Sequence, residues 1–291
     1  MIHSKGRHLD LTDPIVMGIL NATPDSFYNK GRESDVEGLL RVAEKMLKDG
    51  ATILDIGGAS TKPGQELISP EEELKRIIPV VIAVRKSFPD AWLSIDTYNS
   101  AVAFEAIITG ADIVNDVSSG SFDTKMLPTM AILKAPYIAM HMQGTPKTMQ
   151  VAPMYNDVAA EVFEYLNNVC SRCASLGIQD IIIDPGFGFG KTMEHNFQLL
   201  GSLYKFQELH RPILAGLSRK SMICKALKVN PEHALNGTTA LNMVALQQGA
   251  NILRVHDVKE AIETIKLYKL LGNAPTLTCV TARNEAASRN G

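Results

Sequence analysis

Residues 181–192 read Ile181-Ile182-Ile183-Asp184-Pro185-Gly186-Phe187-Gly188-Phe189-Gly190-Lys191-Thr192. The run of β-branched apolar residues has the pattern of a strand buried on both faces. A carboxylate ends it, and Pro185, with no N–H to give to a ladder, stops it there. The glycines that follow allow backbone conformations and close approaches that a Cβ forbids. A charge at the mouth of a buried strand, on a loop built for close contact, has the form of a ligand site. Spacing excludes two phosphate loops. A Walker A loop needs Gly five positions before Gly190, where Pro185 stands, and a dinucleotide fingerprint needs Gly at the position of Lys191.

The same unit of apolar strand, polar mouth and helix recurs on both sides. Ile15 to Leu20 is a strand ending at Asn21, followed by turn chemistry from Thr23 to Gly31. Ser34 or Asp35 then caps a helix through Lys48, with Gly50 just beyond it. Thr52 to Ile56 is the next strand, Gly57 to Gly64 its loop, and Ser69-Pro70 a helix start. Later strands end at Asp96, Asn115, His141 and Asp184, with helices from near Ser100, Asp123, Asn156 and Glu194. The last two strands end at Ser218 and His256, and a final helix runs from Asp257 to near Leu271. Eight strands alternating with helices predict an α/β fold, a single (β/α)8 TIM barrel over residues 15–271. Residues 1–14 read as a polar leader, and 272–291 as a polar tail expected to fray. A doubly wound open sheet is the structural competitor, but it rarely needs eight evenly spaced units without a phosphate fingerprint.

Composition narrows the function. The 291 residues are 45% hydrophobic and 21% charged, ordinary for a globular chain with a sizeable core. A net charge of −2 gives no general attraction to nucleic acid or anionic membrane, so any anion site must be built locally. No apolar run approaches membrane-spanning length, and the N-terminus lacks the apolar core of a signal peptide. Cys170 and Cys173 have half the spacing of a zinc site, but Cys224 and Cys279 supply no second pair. Free thiols in a reducing cytosol are the expectation, which makes the protein cytoplasmic.

In a barrel of this class, polar residues ending successive strands share one face, where active sites lie. Here they are Asn21, Asp55, Asp96, Asn115, His141, Asp184, Ser218 with Arg219 and Lys220, and Arg254 with His256. Each has a plainer role available. Asp55 reads as bonding amides of its glycine loop, Asp96 could cap a helix, and Asn115 and Asp116 could be turn residues. His141 reads as structural or as a stacking ring. Asp184 is the strongest ligand candidate, because capping does not suit a residue before a Pro-Gly loop. Arg254 and His256 flank Val255 and so share one side of their strand, which favours an anion site. Carboxylates and amides at the centre, with cations from the last two strands, suit a donor-rich planar head with an anionic tail.

Several motifs resemble dihydropteroate synthase. They are Asn21-Ala22-Thr23-Pro24-Asp25-Ser26-Phe27, Asp55-Ile56-Gly57-Gly58-Ala59-Ser60-Thr61-Lys62-Pro63-Gly64, Ser94-Ile95-Asp96-Thr97, Asn115-Asp116, the 184–192 stretch, Ser218-Arg219-Lys220-Ser221 and Arg254-Val255-His256-Asp257. The resemblance covers roughly residues 14–271 in the family's order and spacing, and the family's fold is also the (β/α)8 barrel. It implies condensation of 6-hydroxymethyl-7,8-dihydropterin diphosphate with p-aminobenzoate to 7,8-dihydropteroate and diphosphate, with Mg²⁺ as cofactor. By resemblance, Asp96, Asn115, Asp184, Lys220 and Arg254 contact the pterin. Asn21, Arg254 and His256 form the diphosphate and Mg²⁺ group, with Asn21 as the metal ligand. Asp96, Lys220, Arg254 and His256 carry the catalysis, an SN1-like substitution. Long mobile loops after strands 1 and 2 shape the p-aminobenzoate pocket with Asp25, Phe27, Thr61, Lys62 and Pro63, and Ser221 lies near that substrate's carboxylate.

The resemblance further implies a homodimer, and a pocket that admits sulfonamides as competitors of p-aminobenzoate. One departure is Lys62, where the family usually has Arg; lysine keeps the charge but loses the planar fork. Three rivals remain at this point. A methyltetrahydrofolate:corrinoid methyltransferase would share the pterin contacts but has no use for diphosphate cations. An aldolase-type barrel would use Lys220 as a Schiff-base nucleophile, which Arg219 beside it disfavours. A non-catalytic scaffold would be expected to lack a central polar residue.

Overall fold

The computed structural model describes residues 1–22, 32–59, 64 and 67–273, the side chains of 32–35 and 273 excepted. Asp25, Phe27, Thr61, Lys62 and Pro63, the loops that carry them and the tail from 274 lie outside the described residues. The chain opens with a hairpin, β1 (Ile2–Ser4) and β2 (Arg7–Leu9), and enters the barrel at β3 (Ile15–Asn21). There follow α1 (Arg32–Lys48), β4 (Ile53–Gly57), α2 (Pro70–Ser87), β5 (Trp92–Asp96), α3 (Ser100–Thr109), β6 (Ile113–Asp116) and α4 (Met126–Leu133). The next elements are β7 (Tyr137–Met140), α5 (Val158–Ser175), β8 (Ile181–Asp184) and α6 (Met193–Gly201). The chain closes with β9 (Leu214–Ala215), α7 (Ser221–Leu227), α8 (Leu235–Gln247), β10 (Ile252–Val255) and α9 (Val258–Asn273).

The eight barrel strands form one sheet in the order β8-β7-β6-β5-β4-β3-β10-β9, with every pairing parallel. The ends meet where Ile183 N–H donates to Pro212 O at 2.9 Å and Ile183 bridges Ile213. The sheet is therefore the (β/α)8 barrel expected from the strand count. Side chains alternate across a strand, so each strand feeds two cores. Outward residues such as Val16, Leu54, Leu93, Val114, Ala139, Ile183 and Leu253 pack against the helices. Inward residues Met17, Ile53, Ile113, Ile138, Ile182, Leu214 and Ile252 make an apolar floor inside the cylinder.

Three local expectations change. First, α1 begins at Arg32, so Ser34 and Asp35 lie inside it and neither is its cap. Second, the capping alternative to ligand contact for Asp96 falls away: α3 starts after Asn99, and Asp123 Oδ2 accepts from Ser100 N–H at 2.8 Å. Third, the leader is folded. Gly6, at φ 76°, turns the hairpin, and Ile2 and Leu11 close the floor from below.

The hairpin is fastened by charge. Arg7 Nη2 lies 2.7 Å from Asp112 Oδ1 and Arg85 Nη2 2.6 Å from Asp112 Oδ2, with the carboxylate only 1% exposed. Leu93 N–H also donates to Asp112 Oδ2, at 3.0 Å. Lys5 Nζ donates to the carbonyls of Ile107 and Ala111, each at 2.7 Å. Asp112→Ala would leave a buried N–H without its acceptor and two guanidinium groups, still bonded to backbone carbonyls, without their carboxylate. The arginines are partly exposed, so the expected loss is about 2–3 kcal/mol, at the low end for a broken buried pair. Thermal melting measures it, and an unchanged Tm would show that the apolar plug alone holds the hairpin.

Candidate active site

Alternation that puts Ile53, Ile113, Ile182 and Ile252 on the floor puts Asp55, Asn115, Asp184 and Arg254 two residues higher, on the same inner face. Asp96 follows Ser94 on β5 in the same way, and register sets Asp96 beside Gly57 on one side and Asn115 on the other. The inside of the barrel is thus apolar at one end and charged at the other.

Arg254 occupies the centre of the charged end. Its Nε donates to Asp55 Oδ2 and its Nη2 to Asp96 Oδ2, both at 2.6 Å. Asn115 Nδ2 donates to the same Asp55 Oδ2 at 3.1 Å. Asp55, expected to bond amides of the glycine loop, instead joins residues of two other strands. Burial works against the charge on Arg254, but Asp55 and Asp96 raise its pKa above the usual value. Burial also pushes the Asp96 carboxyl up to about 7, against the pull of Arg254.

Asp184 and Lys220 form the neighbouring group. Asp184 Oδ1 accepts from Gly186 N–H at 2.7 Å, within the turn that Pro185 begins. Burial raises its pKa, and Lys220 opposes the shift. Lys220 precedes α7, donates to Phe187 O and lies 5.0 Å from the centroid of the Phe189 ring. Burial lowers its pKa to about 8, with Asp184 acting the other way. The two groups face a common space. A Cβ at Gly216 would lie 3.8 Å from Lys220 Nζ and 4.0 Å from Arg254 Cβ, so the missing side chain leaves room between the cations.

The glycine loop is held from behind by residues the sequence reading left unassigned. Buried Lys191 donates to Gly186 O at 2.8 Å and Phe189 O at 3.1 Å, and lies 2.9 Å from His141 Nδ1. Asn196 Oδ1 accepts from Gly188 N–H at 2.6 Å. Gly186 has φ +70°, and a Cβ there would sit 1.9 Å from His141 O, so no other residue fits. Burial, reinforced by Lys191, lowers the His141 pKa to about 2 and keeps the ring neutral. That ring packs edge-on against Tyr165 at 4.9 Å, in line with a structural reading.

The remaining candidates lie around this centre. His256 Nδ1 is 3.0 Å from Ser218 Oγ, which also accepts from His256 N–H at 3.2 Å. Asn21 is exposed at the end of β3, opposite Gly57, and Ser221 is exposed at the first position of α7. Arg219 turns away: at φ 57° it directs Nε and Nη2 to Asp257, at 3.0 and 2.6 Å. A cleft of about 510 Å³ opens beside the hairpin, lined by Leu9, Leu47, Phe88, Pro89 and Trp92 among others, and contains none of these charged groups.

Lys191→Met would strip two buried carbonyls and His141 of their shared donor. The expected result is faster amide exchange across residues 186–190 and a stability loss of about 2–3 kcal/mol. Hydrogen exchange read by mass spectrometry checks this; unchanged exchange would mean that glycine geometry alone holds the loop.

Comparison with known proteins points the same way. Residues 17–256 match a family model described as pterin binding enzyme. A dihydropteroate synthase of Escherichia coli (strain K12) is 46% identical over 270 residues, 92% of this chain and 95% of the relative. The Yersinia pestis dihydropteroate synthase, solved with a sulfonamide drug complex, superposes with a TM-score of 0.89 at 42% identity, covering 94% of this chain and 99% of that one. The Xanthomonas albilineans enzyme in complex with 7,8-dihydropteroate gives 0.85 at 37% identity, again over 94% and 99%. With a parallel eight-stranded barrel and a family match spanning its strands, the chain belongs to the dihydropteroate synthases, transferases among the pterin-binding enzymes.

Proposed function

We propose that the barrel mouth joins 6-hydroxymethyl-7,8-dihydropterin diphosphate to p-aminobenzoate, in folate synthesis, by an SN1-like substitution. The observation that carries this is the grouping of three acceptors, Asp96, Asn115 and Asp184, with two cations, Arg254 on the inner face and Lys220 at the start of α7, at one end of the barrel. A pterin edge presents a 2-amino group and a ring N–H side by side, and a carboxylate accepts from both. Gly186 occupies Asp184 Oδ1 and leaves Oδ2 for that edge. Lys220 would donate to ring acceptors, and Arg254 would lie against the ring and meet the tail.

In the reaction the bond from the methylene carbon to the diphosphate oxygen breaks, and oxygen keeps the electron pair. Asp96 would stabilise the pterin cation that remains. The p-aminobenzoate nitrogen then forms the new C–N bond and loses a proton. Arg254 and His256 would receive the leaving group, with Ser218 fixing the imidazole. Among the described residues no group of three or more His, Cys, Asp or Glu could hold a metal. The Asn21 amide oxygen, with substrate oxygens and water, is a donor set that suits a hard ion such as Mg²⁺. When bound there, Mg²⁺ would offset charge on the diphosphate.

The p-aminobenzoate site would draw on Ser221 and, outside the described residues, on Asp25, Phe27, Thr61, Lys62 and Pro63. The sulfonamide complex of the Yersinia pestis relative supports sulfonamides as competitors here. The free thiols of Cys170, Cys173 and Cys224 agree with a cytoplasmic setting, and a homodimer is the assembly we propose. No helix among the described residues is long and apolar enough to cross a membrane.

The decisive experiment measures product from the pterin diphosphate and labelled p-aminobenzoate, with and without Mg²⁺. Mg²⁺-dependent formation of dihydropteroate is expected, and no product under either condition would end the proposal. Asp184→Asn is expected to lower kcat/KM by about three orders of magnitude or more, because buried partners are then mispaired. Near-normal turnover would remove Asp184 from the pterin site. The pH profile of kcat/KM should be bell-shaped. Activity should rise as Asp96 ionises near 7 and fall as Lys220 loses its proton near 8, the limbs belonging to the coupled set. A flat profile between pH 6 and 9 would contradict these roles.

A further inference from the structure

Asp55 is too deeply buried to meet a ligand, yet it is bonded to two of the groups proposed to do so. Its side chain is 0% exposed. One oxygen, Oδ2, accepts from both Arg254 Nε and Asn115 Nδ2. The other, Oδ1, is buried and has no hydrogen-bond partner among the described residues. Ser94, its register neighbour on β5, likewise has a buried Oγ without a partner. Leaving a carboxylate oxygen buried without a donor is costly, and the chain keeps it here.

The chemical difference lies in what each group can do. A carboxylate paired with a guanidinium only accepts, whereas an amide has both an accepting and a donating end. Facing Asp55, the Asn115 side chain can therefore present only its NH₂. Its Oδ1 is then the end that a ligand can reach. Facing an asparagine, the Asn115 amide could turn over and show the ligand a donor in place of an acceptor. The same oxygen of Asp55 also anchors Arg254, so two ligand-contacting groups take their orientation from one atom.

We propose that Asp55 is a positioning residue that sets the polarity of the Asn115 amide, so that the barrel mouth offers acceptors alone to the donor edge of a pterin. This rests on the pterin reading of the site and deepens it. Asp55 acts through Asn115 and Arg254: one of its oxygens orients both while the other goes without a partner.

The test uses the full-length protein, with 6-hydroxymethyl-7,8-dihydropterin as probe in calorimetry, and thermal melting alongside. Asp55→Asn is expected to bind the probe about tenfold or more weakly, and to melt lower because Arg254 loses one of its two carboxylates. A merely structural role would leave affinity tracking Tm across both variants, and that result would overturn the proposal. The exchanged pair, Asp55→Asn with Asn115→Asp, restores an acceptor-only group at position 115 whichever way residue 55 turns. It is expected to recover affinity to within about tenfold of wild type. A double variant no better than Asp55→Asn, or an Asp55→Asn that binds like wild type, overturns the inference and leaves the pterin reading standing. Wild-type protein that does not bind the probe removes the pterin reading, and this inference with it.

Discussion

A closed cylinder of eight strands has one interior, and every strand contributes to it with every second residue. That constraint governs the molecule. Where the inward residues are Met17, Ile53, Ile113, Ile182 and Ile252, the cylinder is a packed core. Two residues on, the inward positions of four of its strands are Asp55, Asn115, Asp184 and Arg254, and the core becomes a binding surface without any change of fold. Burying charges this close to an apolar floor is unfavourable unless they pair. Arg254, held between Asp55 and Asp96, is the pairing that makes the arrangement tolerable. Because Lys220 and Asp184 sit alongside, adding a ligand rearranges an existing balance of charge.

The strand pattern could be read because the signal is local and repeated: short apolar runs, each ended by a polar residue and followed by turn chemistry. The same period of two told that the polar residues ending successive strands, Asp96, Asn115, Asp184 and Arg254 among them, share a face; Lys220, beyond β9 at the start of α7, was joined to them by the family resemblance. What escaped was partnership across long separations. Asp55 pairs with Arg254, 199 residues away, and its glycine neighbours suggested a nearer acceptor role. Its spacing from Ile53 was the available clue. Arg219 looked like a member of the site because it adjoins Lys220, but a left-handed backbone angle, invisible in the sequence, turns it to Asp257. The hairpin was missed because its strands are three residues each and mostly polar; Ile2 alternating with Ser4 before Lys5-Gly6 was the only hint.

The stretch around Asp184 shows how a loop can be rigid without secondary structure. Gly186 and Gly190 stand where a Cβ would come within 1.9 and 2.5 Å of a neighbouring carbonyl oxygen, and side chains take up polar backbone groups of the loop. Lys191 takes the carbonyls of Gly186 and Phe189, and Asn196 takes the amide of Gly188. The ammonium is therefore turned inward, away from the ligand space, although a lysine after a glycine run invites a phosphate-binding reading. Phe187 O, at the crest of the same loop, receives Lys220. The loop thus holds both an acceptor, Asp184, and a donor, Lys220.

The join between the first and last strands of the sheet order has a further consequence. β9 is only two residues long, and β8 meets the segment before it through Ile183 alone. Such a seam is a lap joint, closed by fewer backbone bonds than the ladders elsewhere. Asp184 stands on one side of the joint and Lys220 on the other, whereas Asp96, Asn115 and Arg254 are fixed in continuous pairings. The thinnest part of the wall therefore falls between one acceptor and one donor, and the bond from Lys220 to Phe187 O is the rivet that spans it.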